Sequence, residues 1–216
     1  MTIDKPDLLV AVLTGGHAFD VPNFHRLFRR LPGIDAYIQT MDDFGAASQE
    51  TRDAYDAVVF YHMLKETPAD GSKVKNALER LGETGQGLVV MHHSLLAYPQ
   101  WPTWRALSGV DPTWTRYDHA QDLLVRIADH THPVTAGVSD FALVDETYQM
   151  GEPDPGSNIL LTTEHLYSLK ALAWTHSFGR ARVFSQVMGH DNDAWVNPGF
   201  ETVLHRGILW ACGKLD

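Results

Sequence analysis

A three-layer α/β sandwich around a mainly parallel sheet, with extra antiparallel strands, is the fold that this chain predicts. Three observations predict it. Strand-length apolar runs alternate with helical patterns through the N-terminal half. Those runs are apolar on both faces, as strands covered by helices are. Histidine stands where the buried runs end: His17 after LLVAVLTGG, His92 and His93 after GLVVM, and His190 after ARVFSQVMG. Ligands of open α/β sheets bind beyond the carboxyl ends of parallel strands. Imidazole moves protons or holds metals near neutral pH, so these positions mark a candidate reactive edge.

The elements follow in order. Residues 8–13 are the first strand, closed by Gly15 and Gly16; the preceding Asp4 and Asp7 suit a strand entry rather than a signal peptide. Phe24, Leu27, Phe28 and Leu31 then recur at helical spacing, and Pro32-Gly33 is a stop. Residues 35–40 and 56–62 are the second and third strands. A helix follows Ser72, with Val74, Ala77, Leu78 and Leu81 on one face, and residues 87–93 are the fourth strand. The order is β-α-β-β-α-β. Beyond it, Trp101, Trp104 and Trp114 lie among prolines in a loop and short helix. Residues 122–128 read as a strand, followed by the turn-rich DHTHPVTAGVSDF, whose His130 and His132 suit turns. FALVDETY, NILLTT and ALAWTH are closely spaced short strands without long helices between them, which predicts antiparallel additions. Residues 181–187 are the last core strand. A closing helix runs from Pro198 to Cys212, with Gly213 as its stop. No repeat or linker divides the chain, so residues 1–216 form a single domain.

Composition narrows the function classes. Apolar residues are 44% of the chain, enough for a sizeable core; 17 Lys+Arg against 27 Asp+Glu give a formal net charge of -10. An acidic surface disfavours sequence-independent binding to nucleic acid or anionic lipid. No apolar stretch approaches the ~20 residues of a membrane span. The single cysteine, Cys212, forms no internal disulfide and fits the cytoplasm; a buried packing role suits it better than nucleophilic attack. A two-fold homodimer is the assembly most soluble oligomers adopt, although nothing in the sequence marks an interface.

The candidate site gathers at strand ends. Gly15 and Gly16 let backbone amides approach a ligand beside His17, but neither GxGxxG nor a P-loop is present. His62 ends the third strand. Successive side chains alternate along a strand, so a turn is needed for either His92 or His93 to face the cleft while its neighbour packs beneath. Glu146 and Tyr148 in DETY suit a base and an orienting hydroxyl; Asp191 follows His190; Trp195 could wall a sugar cleft with its aromatic face. Three imidazoles, or two with a carboxylate, would make an open site for a divalent metal such as zinc, although no HExxH motif is present.

These residues sit in segments that resemble one family along nearly the whole chain, the ThuA-like (trehalose utilisation) proteins. The matching segments are GGHAFD, GLVVMHHSL, HPVTAGV, DETY, AWTHSFGRARVFSQVMGHD and WVNPGFETVLHRGILWA. The resemblance implies a flavodoxin-like, class I glutamine-amidotransferase-like fold and a place in disaccharide or keto-glycoside catabolism. Amidotransferase relatives carry a nucleophilic cysteine after the strand that here ends in Met91-His92-His93. This chain has none there, so glutamine hydrolysis is not expected, while their triad histidine corresponds by position to His190. Phe19 stands where the family's GGHxHD pattern often has a second histidine.

The expected function is a cytoplasmic enzyme acting on a sugar or oxidised sugar. His92 or His93, with His190 and Glu146, would be the acid/base set. Gly15, Gly16, His17, His62, Tyr148, Asp191 and Trp195 would bind substrate. A sugar-sensing domain without turnover and a metal-dependent hydrolase are the rival readings.

Overall fold

Among the described residues, nine strands lie side by side in one mixed sheet, with helices packed on it. A computed structural model describes residues 8–216, so Asp4 and Asp7 lie outside the described residues. The elements are β1 (Leu8–Gly15), α1 (Val21–Arg30), β2 (Ile34–Thr40), α2 (Met41–Ala46), α3 (Gln49–Asp53), β3 (Ala57–His62), α4 (Lys73–Thr84) and β4 (Gly87–Met91). After a 3₁₀ turn (His92–Leu96) come α5 (Pro102–Ser108), β5 (Trp114–Ile127), β6 (Phe141–Met150), β7 (Asn158–Thr162), β8 (Ala171–Phe178), β9 (Ala181–Gln186), α6 (Asn192–Trp195) and α7 (Pro198–Ala211). The strand order is β2-β1-β3-β4-β9-β8-β7-β5-β6. Strands β2, β1, β3, β4 and β9 pair in parallel, and β8, β7, β5 and β6 pair antiparallel.

The parallel half follows from its sequence. Every residue of β3 and β4 is buried, as a strand covered on both faces requires. Helix α1 begins where Asp20 caps the Asn23 N–H and Pro22 fixes the first turn. Ser72 caps α4 in the same way, and Gly85 ends it in the left-handed conformation. Asn197 and Pro198 open α7.

Two parts of the architecture differ from the sequence expectation. The link between β2 and β3 carries α2 and α3, which are six and five residues long. Helices that short display too little periodicity to be read; what starts α2 is a capping box between Thr40 and Asp43. Strand β5 also begins eight residues before the expected residue 122, because Trp114–Gln121 forms an exposed polar ribbon paired only with β6. A ribbon open to solvent needs no apolar alternation. Among the described residues, no helix is long and apolar enough to cross a membrane.

Candidate functional site

Three parallel strands of the same sheet, β1, β4 and β9, deliver histidine to one edge, with β3 lying between the first two. Strand β1 leads into Gly16, whose φ of +70° and close approach to Met63 (an added Cβ would lie 2.8 Å from its carbonyl) leave room only for glycine. His17 follows. Strand β4 stops at Met91, two residues short of the expected end, because His92 takes φ +54° and opens the 3₁₀ turn. This strand–elbow–turn geometry holds nucleophiles in α/β hydrolases; here it holds an imidazole. A non-glycine residue in that conformation costs roughly 1–2 kcal/mol, which the surrounding packing must over-determine. Beyond β9, the loop to His190 is tied down by the buried Asp145 on β6. Its carboxylate accepts N–H bonds from Gly189 (2.6 Å), His190 (3.0 Å) and Glu146 (2.8 Å). Burial pushes the Asp145 carboxyl above its ordinary range, against the opposing pull of His92 and these donors.

The rings converge. His17 stacks on His93 at 4.5 Å between centroids; His190 lies 5.8 Å from His17, 5.2 Å from His92 and 5.0 Å from His119. Both members of the His92-His93 pair reach the cluster, with rings perpendicular and 5.2 Å apart. His92 donates from Nδ1 to the Val187 carbonyl at 2.6 Å and presents Nε2 to Glu146 Oε2 at 3.1 Å. His93 is buried between His17 and Tyr61, and burial, followed by the charge of His92 and His17, holds its pKa well below the usual imidazole value. Burial also lowers the His17 pKa, reinforced by His190 and His92. Asp191 accepts from His190 Nδ1 at 3.2 Å while capping α6, and the Tyr61 hydroxyl donates to the His190 carbonyl at 2.7 Å.

The antiparallel half supplies the acid. Alternation along β6 sends Glu146 and Tyr148 to the cleft. The Tyr148 hydroxyl lies 2.8 Å from His92 Nε2 and donates to Glu146 Oε2. Burial opposes ionisation of Glu146, but the bond from His92, its charge and the Tyr148 hydroxyl outweigh that and hold the pKa at about 2. Opposite Glu146, strand β5 has a bulge: two residues, His119 and Ala120, face one. The bulge turns His119 so that Nδ1 meets Glu146 Oε1 at 2.9 Å. His119 was not among the expected site residues. Its signal is the register of β5 against β6, which no local pattern discloses.

Above the cluster lies a cleft of about 330 Å³ lined by His17, Met63, Leu96, Trp114, Tyr117, His119, Glu146 and Tyr148. Among the described residues, no lysine or arginine lines it. A larger groove of about 540 Å³ between β5, β6 and α6 has no imidazole, so size alone does not mark the chemistry.

Two expected site residues lie elsewhere. His62 points to the opposite face of the sheet from Tyr61 and packs against Trp104 and Tyr98, at 5.0 and 5.2 Å, with both ring nitrogens unpartnered. Adjacent strand residues take opposite faces, so only one of the two could turn toward α1. Trp195 is buried against Phe24 and Tyr61 and donates to the Gly189 carbonyl at 2.9 Å; it supports the His190 loop from behind and does not line the cleft. Phe19 packs against Phe24 and Tyr61. Cys212, at the end of α7, has its thiol pushed up to about 12 by burial and the nearby Asp56.

His62 gives the protein a measurable acid sensitivity. Burial lowers its pKa to about 3, against an ordinary value of 6.5. The unfolded chain therefore takes up a proton at this site below pH 6.5 that the folded chain refuses, and stability present above that pH is lost as the pH falls toward 3. The slope approaches about 1.4 kcal/mol per pH unit, roughly 2 kcal/mol by pH 5. Urea unfolding of His62→Leu at pH 7.5 and 5 is expected to be less pH-dependent than that of the parent by this amount. At pH 7.5 the variant should be no less stable, since it removes two unpaired buried nitrogens.

Comparisons with known proteins agree with the fold. The sequence profile of the family described as ThuA, trehalose utilisation, matches residues 17–211. A putative ThuA-like protein from Parabacteroides merdae superposes with a TM-score of 0.76 at 20% identity, covering 98% of this chain and 92% of that one. A second putative ThuA-like protein, from Bacteroides uniformis, gives 0.74 at 18% identity, with 98% and 94% covered. A cytoplasmic protein from Salmonella typhimurium gives 0.66 at 14% identity, with 93% and 98% covered. At these identities the likeness is one of fold. No curated protein matches the chain at a significant level.

Proposed function

The chain belongs to the ThuA (trehalose utilisation) family, and from that premise we infer that it is an enzyme of sugar catabolism turning over an uncharged disaccharide or keto-glycoside by proton transfer. The observation that carries this reading is the meeting of five imidazoles, Glu146 and Tyr148 in one cluster, of which His17, His119, Glu146 and Tyr148 line the cleft and the others lie against them. The described lining carries no lysine or arginine, which favours a neutral sugar over a sugar phosphate. Trp114 and Tyr117 at the mouth offer aromatic faces to a pyranose ring.

The roles divide by burial. His92, Glu146, Tyr148 and His190 form an inner pole that receives and polarises a substrate oxygen. His119 is exposed and oriented through Nδ1 by Glu146, which leaves Nε2 free to take or give a proton. On a keto-glycoside, a base removes the proton beside the carbonyl while an imidazole of the inner pole, in its protonated form, donates to the oxygen on which charge develops. His93 keeps His17 in place from below, and Asp191 orients His190. Glutamine hydrolysis through a thioester is not part of this reading, because the elbow holds His92 and Cys212 carries a raised thiol pKa.

The test incubates purified protein with trehalose, with its keto derivative and other keto-disaccharides, and with glutamine. Product from a disaccharide or keto-glycoside and none from glutamine is expected, with loss of activity in His92→Ala and His190→Ala. Thermal stabilisation by the sugars without product would favour the sensing role instead, and full activity in both variants would remove this mechanism.

A further inference from the structure

The inner pole contains a hydrogen-bonding conflict whenever the His92 ring is neutral. The Val187 carbonyl can only accept, so His92 Nδ1 must carry the hydrogen. A neutral ring then turns the Nε2 lone pair toward the Glu146 carboxylate 3.1 Å away. Two acceptors face each other in a nearly dry place, with the two side chains 0% and 6% exposed. The single hydrogen of Tyr148 can serve one of them, not both. His190 repeats the arrangement: Nδ1 donates to Asp191 Oδ2, which leaves a lone pair on Nε2 of the neutral ring. Among the described residues, His92, Glu146 and His190 are the group whose ligand atoms all lie within 4.8 Å of one another.

We propose that His92, His190 and Glu146 bind a divalent transition-metal ion of the zinc class. Two imidazoles whose second nitrogens rest on a backbone carbonyl and a carboxylate, together with one carboxylate ligand, are the donor set such ions take, and those outer acceptors fix the ring orientations. The softer and harder members of the divalent series are less well served by two nitrogens and one oxygen. The remaining coordination positions open toward the cleft, where water or a substrate oxygen can enter. The left-handed elbow at His92 then has a purpose: it turns one imidazole toward an ion that a regular strand would not reach. His119 stays on the other oxygen of Glu146, outside the ligand set, and keeps its proton-transfer role.

This proposal uses the same centre as the sugar reading but does not depend on any sugar, so the two can fail separately. The full-length protein is stripped with a chelator, then equilibrated with Zn²⁺ or Co²⁺ and no substrate. Bound metal is counted by elemental analysis, and Co²⁺ is followed by its visible absorption. About one equivalent per chain, a Co²⁺ spectrum of low coordination number and a raised melting temperature are expected. E146Q and H190Q should each weaken binding at least 100-fold, by analogy with the ~10–100-fold cost of losing an outer partner alone, while H130Q on an exposed turn binds as the parent does. Since His190 is partly exposed, H190Q is expected to fold even if E146Q does not, and melting of the metal-free variants checks both. Substoichiometric metal in the parent under metal-replete conditions, or undiminished binding in folded H190Q, would overturn the proposal. Metal bound without sugar turnover would leave it standing and remove the sugar reading.

Discussion

Glu146→Gln is expected to lower kcat by about 10²–10⁴-fold, the range over which positioned proton-transfer groups contribute. The change is nearly isosteric, so the cleft keeps its shape. What it removes is the charge that three groups share: His92 Nε2, the Tyr148 hydroxyl and His119 Nδ1 all converge on this carboxylate. An amide presents one acceptor and one donor. It cannot satisfy His92 and Tyr148 through one atom and orient His119 through the other. Because the loss falls on the reacting pole rather than on the aromatic mouth, KM should move far less than kcat. Steady-state kinetics on whichever sugar the parent turns over, with circular dichroism to confirm folding, makes the measurement. A kcat within about tenfold of the parent would remove Glu146 from the chemistry.

Asp145→Ala is expected to be the most destabilising single change in the site, by about 4 kcal/mol. Three backbone N–H groups lose their acceptor at once, and each orphaned buried donor costs roughly 1–3 kcal/mol, softened where water can enter. In a chain of this size that lowers the melting temperature by on the order of 10 °C. Asp145→Asn should recover about half. Its Oδ1 can still accept from Glu146 and His190, but an amide nitrogen then faces the Gly189 N–H that Oδ2 meets at 2.6 Å. Thermal unfolding of the two variants checks the order, and a loss below about 1 kcal/mol in the alanine variant would show that the loop is held by other means. Asp145 touches no substrate in this scheme. Its effect on activity runs through the placement of His190, so activity in the asparagine variant should track the recovered stability.

The parallel half of the fold is legible in the sequence because a strand buried on both faces has to be apolar throughout, and β1, β3 and β4 are. The gathering of histidines at one edge is legible for the same reason: His17, His92 and His190 interrupt or follow such runs, and their rings converge. The resemblance to ThuA-like proteins carried the fold further than periodicity alone, since the order β4-β9-β8 cannot be read from local patterns. His62 and Trp195 show where strand-end reasoning fails. Tyr61 and His62 occupy opposite faces, and nothing local says which face meets the cleft until α1 and α5 are assigned to their sides. Trp195 ends a four-residue helix whose buried face follows from packing against Phe24, a long-range contact. His119 was hidden for a different reason. Its neighbours in WTRYDHAQ are solvent-exposed, and only the two-against-one pairing opposite Glu146 gives it a role.

Strand β9 is the seam of the molecule. It comes last in chain order among the strands of the described residues, yet it lies between β4 and β8 and is the ladder that joins the parallel and antiparallel halves. A nascent chain that has not yet extruded it holds two unjoined pieces, one carrying His17 and His92, the other carrying Glu146 and Tyr148. The same insertion that closes the sheet brings in His190 and draws carboxylate and imidazoles together.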